Sequence, residues 1–561
     1  MRIIGIGFLS ESSVALLENG KIKYAISQER LNRIKNWWGN PIETIKFVLK
    51  ETGYKLKDID YFATHGLTAY TKDIPNISYF RKKINIVKKS TLKNKIKNRQ
   101  IKYLKMRFAH EIKANKRVFK NIEDLRKNFK NLHVYDHHDA HAASAYYYSG
   151  WKNCYVLTID GWGDNASSKF YYAENGKLKN LTRSDTIDSL GYFYGSITKL
   201  LGFKPHRHEG KILGLAAFGN YKKAYKVISK MISYNRSTKS FSGNFEKGYF
   251  ISKFENPNLK FLKKRFVRED IAAAAQKRIE EVIIKFIKDN VPRKSKIALA
   301  GGVFSNVKIN QKISELENIK DIFIFPNMGD GGLSVGAASL CYNQKSKFKL
   351  QKLNNVYLGP KFKSNEILKK IKKYKLNYLK LKRPQKFIAT KLHQGNVIAC
   401  FHGRMEFGPR ALGNRSILVK STDASVNDWL NKKLNRTEFM PFAPITLESH
   451  AKKMYYDINK KKNAMKFMTI TCDCKPDAIK FSPAAVHIDK TARPQIVNSK
   501  TNKKIYEILI EYFKISKIHT LINTSFNVHE EPIVCEPDDA MRGFLKSGLD
   551  YLYIEDYIVY P

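Results

Sequence analysis

The feature that most constrains the fold of this chain is the alternation of strand-like and helix-like segments in its first third. Short apolar stretches at residues 3–8, 13–17, 23–26 and 61–64 predict strands, whereas residues 41–52 have the apolar spacing of a helix. Strands that alternate with helices are typical of sheets covered by helices. The sequence therefore predicts an α/β fold.

The length of the chain predicts more than one domain, because 561 residues exceed what a single hydrophobic core usually supports. A lysine-rich stretch at residues 343–352 is the predicted linker. We therefore expect a first domain over residues 1–345 and a second over residues 346–561.

A basic segment, residues 81–130, interrupts the α/β pattern of the first domain. It holds 19 Lys and Arg residues against three acidic ones, and its apolar residues have helical spacing. We interpret it as an inserted helical hairpin. Its basic face is either a solvated surface or a binding site for RNA, a membrane or a lipid-linked acceptor.

The charge of the chain is strongly positive, with 102 Lys and Arg against 50 Asp and Glu and a net charge of +52. A field of that size attracts nucleic acid, anionic membrane surfaces and phosphorylated substrates alike, so it identifies none of them. The abundance of lysine, asparagine and isoleucine is also what A+T-rich codon usage produces.

Cysteine usage and hydropathy bear on the location of the protein. The six cysteines lack paired CxxC spacing, and the apolar N-terminus lacks the features of a signal peptide. No run of about 18 apolar residues predicts a transmembrane helix. These observations predict a soluble cytoplasmic protein with reduced thiols.

Two histidines four residues apart, His137 and His141, predict a metal site, since that spacing places both imidazoles on one face of a helix. Two aspartates flanked by glycine, Asp160 and Asp330, lie at predicted strand ends, where the sites of α/β proteins are found. Two imidazoles with one or two carboxylates suit Fe(II), Mn(II) or Zn(II). Ligand type alone leaves the metal open, and a structural histidine pair is the alternative.

Two glycine-rich features predict contacts with phosphate groups. The stretch 296–305 is a buried strand that runs into a double glycine, an arrangement through which α/β proteins approach nucleotides. Near the C-terminus, Arg404, Arg410 and Arg415 are interleaved with three glycines. Guanidinium and backbone N–H donors in such a stretch are suited to bind phosphate-like oxygens.

Short motifs rich in glycine and charged residues extend along nearly the whole chain. In order they are Gln28-Glu-Arg30, the pair His137 and His141, Asp160-Gly-Trp-Gly163, Glu209-Gly-Lys-Ile-Leu-Gly-Leu-Ala216, Gly301-Gly-Val-Phe-Ser-Asn306, Gly329-Asp-Gly-Gly332, Gly403-Arg404 through Arg415-Ser416, Pro441-Phe-Ala-Pro444, His487-Ile-Asp-Lys-Thr-Ala-Arg493, Asn523-Thr-Ser-Phe-Asn527 and Glu531-Pro-Ile-Val534. Together they resemble the O-carbamoyltransferases of the nodulation protein U and cephalosporin hydroxymethyl-carbamoyltransferase type.

The resemblance implies a fold and a reaction. The implied fold is an N-terminal actin/Hsp70-like (ASKHA) duplicated domain, like that of the tRNA threonylcarbamoyl transferases, followed by a C-terminal α/β YrdC-like domain. The C-terminal domain would convert carbamoyl phosphate and ATP into carbamoyl-adenylate, pyrophosphate and phosphate. The N-terminal domain would then transfer the carbamoyl group to an acceptor hydroxyl.

The resemblance also implies roles for individual residues. Catalytic roles fall to Asp160, His137 and Lys35. The implied metal ligands are His137, His141, Asp330 and Asp160, with Fe(II) favoured over Zn(II) or Mn(II), and Asp160 is either a ligand or a base for the acceptor. Nucleotide contacts in the N-terminal domain fall to Gly301, Gly302, Asn306 and Gly329. Carbamoyl phosphate and ATP, the latter with Mg²⁺, would be bound in the C-terminal domain by Arg404, Arg410, Arg415, Ser416, Lys433, Arg436, His487, Arg493, Asn523, Thr524, Ser525 and Asn527.

The chain departs from the family pattern in the C-terminal domain. Met440 stands where the family has an arginine, and the segment that contains Lys433 and Arg436 differs from the usual motif. The roles implied for Lys433 and Arg436 therefore rest on a segment that departs from the family pattern.

The function predicted from the sequence is therefore ATP-dependent O-carbamoyl transfer to a small-molecule or glycan hydroxyl, on a sugar, a glycan precursor or a secondary metabolite. One alternative keeps the fold but makes RNA the acceptor, and another is a basic non-catalytic nucleic-acid-binding protein. The motifs contain no dedicated RNA-reading module, so no stable nucleic-acid partner is expected. Peripheral contact with an anionic membrane surface is compatible with the charge, and the oligomeric state is left open.

Overall fold

The computed structural model describes residues 1–71, 77–248, 259–434, 440–528 and 530–561. Contacts divide the chain into two compact units. The first contains Met1–Lys21, Trp38–Pro41 and Lys55–Lys352, and the second contains Ile22–Trp37, Ile42–Tyr54 and Leu353–Pro561.

This division differs from the expected domains, because all of residues 1–345 were expected to form one domain, whereas two N-terminal segments belong to the second unit. Residues 22–37 and 42–54 group with the C-terminal part of the chain. A local strand or helix pattern does not report which core an element joins, because that choice depends on contacts between residues far apart in sequence.

The strands are β1 (Arg2–Gly7), β2 (Ser13–Glu18), β3 (Lys21–Ser27), β4 (Tyr61–His65), β5 (Leu132–Tyr135), β6 (Asn153–Gly163), β7 (Ala166–Glu174), β8 (Lys177–Asp185), β9 (Ile232–Asn235), β10 (Ser240–Gly243), β11 (Ser295–Ala300), β12 (Ile319–Ile324), β13 (Asn377–Lys380), β14 (Ile398–Phe401), β15 (Arg415–Lys420), β16 (Ala443–Leu447), β17 (Cys472–Asp473), β18 (Thr491–Ala492), β19 (Gln495–Val497), β20 (Thr520–Ser525), β21 (Tyr551–Ile554) and β22 (Tyr557–Tyr560).

The helices are α1 (Glu29–Asn32), α2 (Ile42–Thr52), α3 (Leu67–Tyr70), α4 (Ile77–Lys89), α5 (Asn94–Asn128), α6 (His137–Ser149), α7 (Leu190–Leu200), α8 (Glu209–Ala216), α9 (Tyr221–Ile228), α10 (Lys260–Arg265), α11 (Arg268–Asn290), α12 (Val307–Ser314), α13 (Leu333–Lys345), α14 (Ser364–Lys373), α15 (Pro384–His393), α16 (Val426–Lys433), α17 (Ala451–Met454), α18 (Ile458–Met465), α19 (Pro476–Phe481), α20 (Lys503–Ser516) and α21 (Pro537–Ser547). The predicted α/β class is confirmed.

Two mixed sheets in the first unit share a strand order. In one, strands lie in the order β2-β1-β4-β5, with β1 antiparallel to β2 and parallel to β4, which is parallel to β5. In the other, the order is β7-β6-β11-β12, with β6 antiparallel to β7 and parallel to β11, which is parallel to β12; β8 extends this sheet beyond β7. The helices α6 and α13 pack on each other, α6 also on β6 and β11, and α13 also on β1 and β4.

The basic segment of the first unit consists of α4 and α5, as its helical spacing predicts. Phe80 and Val87 of α4 pack with Leu104 of α5 against Ile187 and Phe245. The helix pair is therefore packed on the rest of the unit along an apolar seam.

The second unit contains an eight-stranded mixed sheet in the order β13-β22-β21-β14-β15-β20-β16-β19. Alternate residues of β14 belong to different clusters: Ala399 and Phe401 pack with α14, α16 and α21, whereas Ile398 and Cys400 pack with α15 and α20. Because successive side chains of a strand point to opposite faces, helices cover both faces of this sheet.

Two observations bear on the predicted location of the protein. All six cysteines are buried and none is in a disulfide. Among the helices of the described ranges, none is long and apolar enough to cross a membrane.

Candidate functional site

Four side chains of the first unit, His137, His141, Asp160 and Asp330, converge in one place. One ligand atom from each lies within 4.8 Å of the others. The Nε2 atom of His141 is 3.0 Å from Oδ2 of Asp160 and 3.7 Å from Oδ1 of Asp330, and Nε2 of His137 is 3.7 Å from each of the same two oxygens. We call this group the histidine–aspartate cluster.

The two histidines occupy the first turns of α6. Asp136 caps this helix by accepting a hydrogen bond from the Asp139 N–H, and the ring centroids of His137 and His141 are 4.7 Å apart on one face. His138 points elsewhere, with its ring nitrogens 2.9 Å from the Thr158 hydroxyl and 3.2 Å from the Ala166 carbonyl oxygen. The geometry agrees with the one-face spacing read from the sequence.

The loop after Asp160 holds His137 through Asp164, which the sequence did not indicate, and through Gly163, whose role the motif did not reveal. The carboxylate of Asp164 accepts hydrogen bonds from the backbone N–H groups of His137, at 2.6 Å, and Thr68, at 2.9 Å. A β carbon at Gly163 would lie 2.2 Å from the His137 ring, so only glycine leaves space for the imidazole. Glycine next to a candidate ligand was the available sequence signal.

The two aspartates occupy less regular backbone than the predicted strand ends. Asp160 lies near the end of β6, where the pairing with β7 shifts register between Ile159 and Gly163. Asp330 begins a short 3₁₀ turn that leads into α13. The irregular backbone near the end of β6 and the 3₁₀ turn before α13 therefore place two carboxylates, 170 residues apart in sequence, beside the same two imidazoles.

The two carboxyl groups of the cluster titrate in opposite directions. Burial raises the pKa of Asp160, but interactions with His137 and His141 outweigh burial and hold the pKa well below its ordinary value. Burial and the negative charge of Asp160 together raise the pKa of Asp330 well above its ordinary value. Asp160 therefore favours the ionised form more strongly than Asp330 does.

The cluster fits a divalent transition metal by its own chemistry. Both ring nitrogens of His137 and Nδ1 of His141 are buried and have no hydrogen-bond partner among the described residues. Two imidazoles and two carboxylates are the donor set that suits Fe(II), Zn(II) or Mn(II), and a cation would relieve the repulsion between the carboxylates.

Two of the predicted nucleotide-binding glycines border this cluster. A β carbon at Gly302 would lie 3.1 Å from Oδ1 of Asp160, and Gly329 directly precedes Asp330. Asn306 instead caps α12, accepting a hydrogen bond from the Ile309 N–H, and its amide is held by Gln276. Gly301 immediately precedes Gly302 at the end of β11.

In the second unit, neighbouring strands bring the two C-terminal motifs together. Residues 402–414, the arginine loop, connect β14 and β15, and Ser416 pairs with Ser525 where β15 runs beside β20. The amide of Asn523 donates to the Ala411 carbonyl of the loop at 3.2 Å. Thr524 follows Asn523 on β20, and the Ser525 hydroxyl donates to Oδ1 of Asn527 at 2.6 Å.

The side chain of Arg415, for which the resemblance implies a contact with a substrate, bonds mainly to the protein itself, and only its Nε has no partner among the described residues. Its guanidinium is fully buried and donates to four backbone carbonyl oxygens at 2.8 to 3.3 Å, those of His402, Gly403, Asn414 and Pro360. It also stacks over Phe401, with Cζ 3.8 Å from the ring centroid. These contacts assign Arg415 to holding the arginine loop.

Arg404 and the backbone of the arginine loop are also engaged within the second unit. Arg404 donates to the carbonyl oxygens of Gly359, at 3.0 Å, Lys23, at 2.9 Å, and Leu358. The buried carboxylate of Glu406 accepts from the N–H groups of Leu412, Asn414 and Arg415, at 2.7, 2.8 and 3.3 Å respectively. An internal carboxylate thus occupies backbone donors that the sequence predicts to face phosphate oxygens.

The remaining predicted cations differ in exposure. Arg410 and Arg493 are partly exposed, and Arg493 lies two residues before Gln495, whose amide donates to the Leu412 carbonyl of the arginine loop. His487 is buried beside Asp489, with Nδ1 3.3 Å from the carboxylate. Lys433 ends α16, and Arg436 lies outside the described residues.

The segment of residues 22–37 contributes basic side chains to the second unit. Arg30 donates to the Gly408 carbonyl of the arginine loop at 3.0 Å, and Arg33 donates to the carbonyls of Pro532 and Ile533. Lys35, predicted to be catalytic, lies in this same unit and is partly buried. The Gln28-Glu-Arg30 motif was the signal for these contacts, although its partners were not predictable.

The family of the chain follows from its sequence. Residues 2–339 match the family model described as Carbamoyltransferase N-terminus, and residues 389–560 match the one described as Carbamoyltransferase C-terminus. The chain therefore belongs to the carbamoyltransferase family, and it is a transferase enzyme. The resemblance read from the motifs is confirmed.

Similar proteins span the full length of the chain. The Uncharacterized protein MJ1051 of Methanocaldococcus jannaschii is 32% identical over 99% of this chain and 99% of its own. Nodulation protein NolNO of Sinorhizobium fredii is 28% identical over 98% of this chain and 79% of its own. Among solved structures, HypF of T. kodakarensis is 13% identical and covers 62% of this chain and 49% of its own, with a TM-score of 0.33, which is too low to bear on fold or function.

Proposed function

We propose that this carbamoyltransferase makes carbamoyl-adenylate from carbamoyl phosphate and ATP and passes the carbamoyl group to a hydroxyl of a sugar, a glycan precursor or a secondary metabolite. The observation that carries the proposal is the convergence of the histidine–aspartate cluster in a chain of this family. Membership in an enzyme family argues against non-catalytic nucleic-acid binding, which the net charge of +52 had left open.

The first stage is assigned to the second unit. Water releases phosphate from carbamoyl phosphate, and an oxygen of the resulting carbamate attacks the α-phosphorus of ATP, so that pyrophosphate leaves and carbamoyl-adenylate forms. Arg410 and Arg493 are the partly exposed cations that would neutralise two mutually repelling anions, with Mg²⁺ accompanying ATP. The buried Arg415 and Glu406 keep the arginine loop in shape around them.

The second stage is assigned to the first unit. The acceptor hydroxyl attacks the carbamoyl carbon, the C–O bond to the phosphate breaks, and AMP leaves. A divalent metal held by His137, His141 and Asp330, preferably Fe(II), would supply Lewis-acid polarisation of the carbamoyl carbonyl or the adenylate phosphate. Asp160 is either a fourth ligand or the base that accepts the hydroxyl proton, and the depression of its pKa keeps it a carboxylate for either role.

The proposal extends to the fold of each unit. The shared strand order of the two sheets supports an actin/Hsp70-like duplication in the first unit, with adenosine approaching Gly301 and Gly302. The helix-covered mixed sheet supports a YrdC-like second unit. Lys35 keeps its proposed catalytic role, and the protein is proposed to act in the cytoplasm.

The first stage is tested by exchange of labelled pyrophosphate into ATP. Exchange should require carbamoyl phosphate and should fall in Arg410→Ala, because a cation facing the substrates is lost. Arg383→Ala, at an exposed arginine of the same unit, is the matched control and should exchange as the wild type does. Exchange that proceeds equally without carbamoyl phosphate would refute the assignment.

The division of labour is tested by following each stage separately. His137→Ala should stop transfer, measured as a mass increase on the acceptor, while pyrophosphate release from ATP and carbamoyl phosphate continues. Arg410→Ala should transfer from supplied carbamoyl-adenylate but should not make it. Loss of both stages in His137→Ala, with an unchanged melting transition, contradicts the division.

A further inference from the structure

The basic segment of the first unit presents buried charged side chains on the inner face of α5. Arg107 is 4% exposed and Glu111, one turn later, is 1% exposed. Most lysines and arginines of this segment are in water, as expected for a helix whose charge reflects composition. A buried arginine in such a helix needs a separate explanation.

The guanidinium of Arg107 is only partly satisfied. Its Nη1 lies 3.3 Å from Nδ1 of His110, whereas Nε and Nη2 are buried without a hydrogen-bond partner among the described residues. No carboxylate of the described ranges lies within 4.0 Å of it. Burying a charge without a hydrogen-bonded counter-ion is unfavourable, so the unpartnered nitrogens are available to an additional acceptor.

The groups around Arg107 supply that acceptor only in part. Glu111 accepts a hydrogen bond from the Thr186 hydroxyl through Oε1, while its Oε2 has no partner among the described residues. Burial raises the pKa of Glu111, and the opposing charge of Arg107 does not offset that effect, so Glu111 is a weak counter-ion. Burial raises the pKa of Tyr192 and the neighbouring Arg107 partly lowers it, yet the buried Tyr192 hydroxyl makes no hydrogen bond of regular geometry in the described part of the chain.

Tyr192 links Arg107 to the histidine–aspartate cluster. The guanidinium Cζ lies 4.4 Å from the centroid of the Tyr192 ring, and a β carbon at Gly161 would lie 3.0 Å from Cε1 of that ring. Gly161 follows Asp160 directly and donates its N–H to Oδ1 of Asp160 at 2.6 Å. The Tyr192 ring therefore lies close both to Arg107 and to the backbone that follows Asp160, a residue of the cluster.

We propose that Arg107 binds an oxyanion, a phosphate or carboxylate group, of a ligand that occupies the first unit beside Asp160 and Gly161. The inference deepens the proposed function and rests on it for the identity of the site. Two sources supply this chemistry: the phosphate of carbamoyl-adenylate, or an anionic group carried by the acceptor, as in a phosphorylated sugar. A guanidinium whose Nε and Nη2 atoms have no hydrogen-bond partner among the described residues is suited to such an oxyanion.

A matched pair of variants tests the proposal in the full-length protein. Arg107→Gln removes the proposed anion contact. Arg117→Gln is the control, since Arg117 lies on the same helix, also stacks on an aromatic ring, at 4.0 Å over Trp38, and is exposed. Both substitutions lower the net charge by one, so a general electrostatic effect is the same in both.

The probes are AMP with adenosine as its neutral partner, and glucose 1-phosphate with glucose as its neutral partner, titrated by calorimetry. We expect Arg107→Gln to weaken one phosphate probe 10- to 100-fold, about 1.4–2.8 kcal/mol, without changing its neutral partner. Loss for AMP alone identifies the adenylate phosphate as the source, and loss for glucose 1-phosphate identifies the acceptor. Phosphate probes that bind Arg107→Gln as tightly as Arg117→Gln, or that bind the wild type no better than their neutral partners, overturn the proposal.

A third variant and a separate assay keep the outcomes distinct. Arg107→Lys retains the charge but lacks the planar fork, so it should recover part of the lost affinity and should fold if Arg107→Gln does not. Equal binding by Arg107→Lys and Arg107→Gln also counts against a charge-based contact. If the wild type shows no pyrophosphate exchange that depends on carbamoyl phosphate, the proposed function is refuted. The binding of phosphate probes is measured without turnover, so it tests Arg107 independently of that result.

Discussion

The histidine–aspartate cluster of the first unit and the arginine loop of the second are both built from buried polar side chains, but they differ in how far their hydrogen bonds are satisfied within the protein. In the cluster, both ring nitrogens of His137 lack partners among the described residues, and two carboxylates face each other. In the loop, Arg415 donates to four carbonyls and Glu406 accepts from three N–H groups, so that only Nε of Arg415 and Oε2 of Glu406 lack partners among the described residues.

The difference teaches how to separate ligand-binding groups from structural ones of the same chemical type. Unsatisfied buried donors and acceptors are costly, so they indicate a missing partner, whereas satisfied ones indicate a scaffold. By this criterion His137, which lacks a partner at both ring nitrogens, is the stronger candidate for contact with a ligand, whereas Arg415, which lacks one only at Nε, mainly holds the loop. Each of the following changes tests one side of that contrast.

The largest effect is expected from removing both imidazoles, His137→Ala with His141→Ala. The double variant should lose its metal and about a thousandfold or more of transfer rate, since Lewis-acid polarisation contributes several kcal/mol. Metal content per chain and the rate of acceptor carbamoylation measure this. His138→Gln is the control, because His138 is equally buried but bonds Thr158 and Ala166 instead, and it should keep the metal. Full metal content in the double variant would make the histidines structural.

Arg415→Ala should destabilise the second unit by about 3–5 kcal/mol, because it deletes a fully buried side chain and leaves four carbonyl oxygens without their donor. Denaturant unfolding of the variant and the wild type measures the change in the free energy of unfolding. The metal content of the first unit serves as a check that this unit is unaffected. Unaltered stability together with weakened ATP binding would return Arg415 to the substrate-contact role predicted from the sequence.

Arg410→Ala should behave in the opposite way. We expect a loss of about 2–4 kcal/mol of transition-state stabilisation in carbamoyl-adenylate formation, the scale of removing a charged donor from a closed site. Its free energy of unfolding should stay close to that of the wild type, since the side chain is partly exposed. Comparison of the pyrophosphate-exchange rate with the denaturation midpoint decides between the two arginines.

The smallest effect is expected from Gly163→Ala. Its new methyl group would overlap the His137 ring, so the ring must shift and the metal affinity should fall, at a cost of about 1–3 kcal/mol. Competition with a chelator measures the affinity. Gly210→Ala is the control, because a β carbon at Gly210 meets no atom within 4 Å and should leave metal binding unchanged.

Much of the fold and all four residues of the histidine–aspartate cluster could be named from local sequence. The His137 and His141 spacing reports a helix face directly, and the helices of the basic segment follow from apolar periodicity. The strand order of the two mixed sheets could not be predicted, since period-2 patterning does not say which strands pair. The roles of Asp164 and Gly163 were equally hidden, because both act on a residue more than 20 positions away.

By itself, the sequence determined the α/β class, the carbamoyltransferase family and the pair of imidazoles, because these depend on spacing and on short motifs. Only the tertiary structure decided that Asp330 meets His141, that Arg415 turns inward, and that residues 22–37 join the second unit. The physical reason is that a charged side chain has the same local pattern whether its partner is a substrate, a backbone carbonyl or water. Which partner it finds depends on atoms brought together from distant parts of the chain.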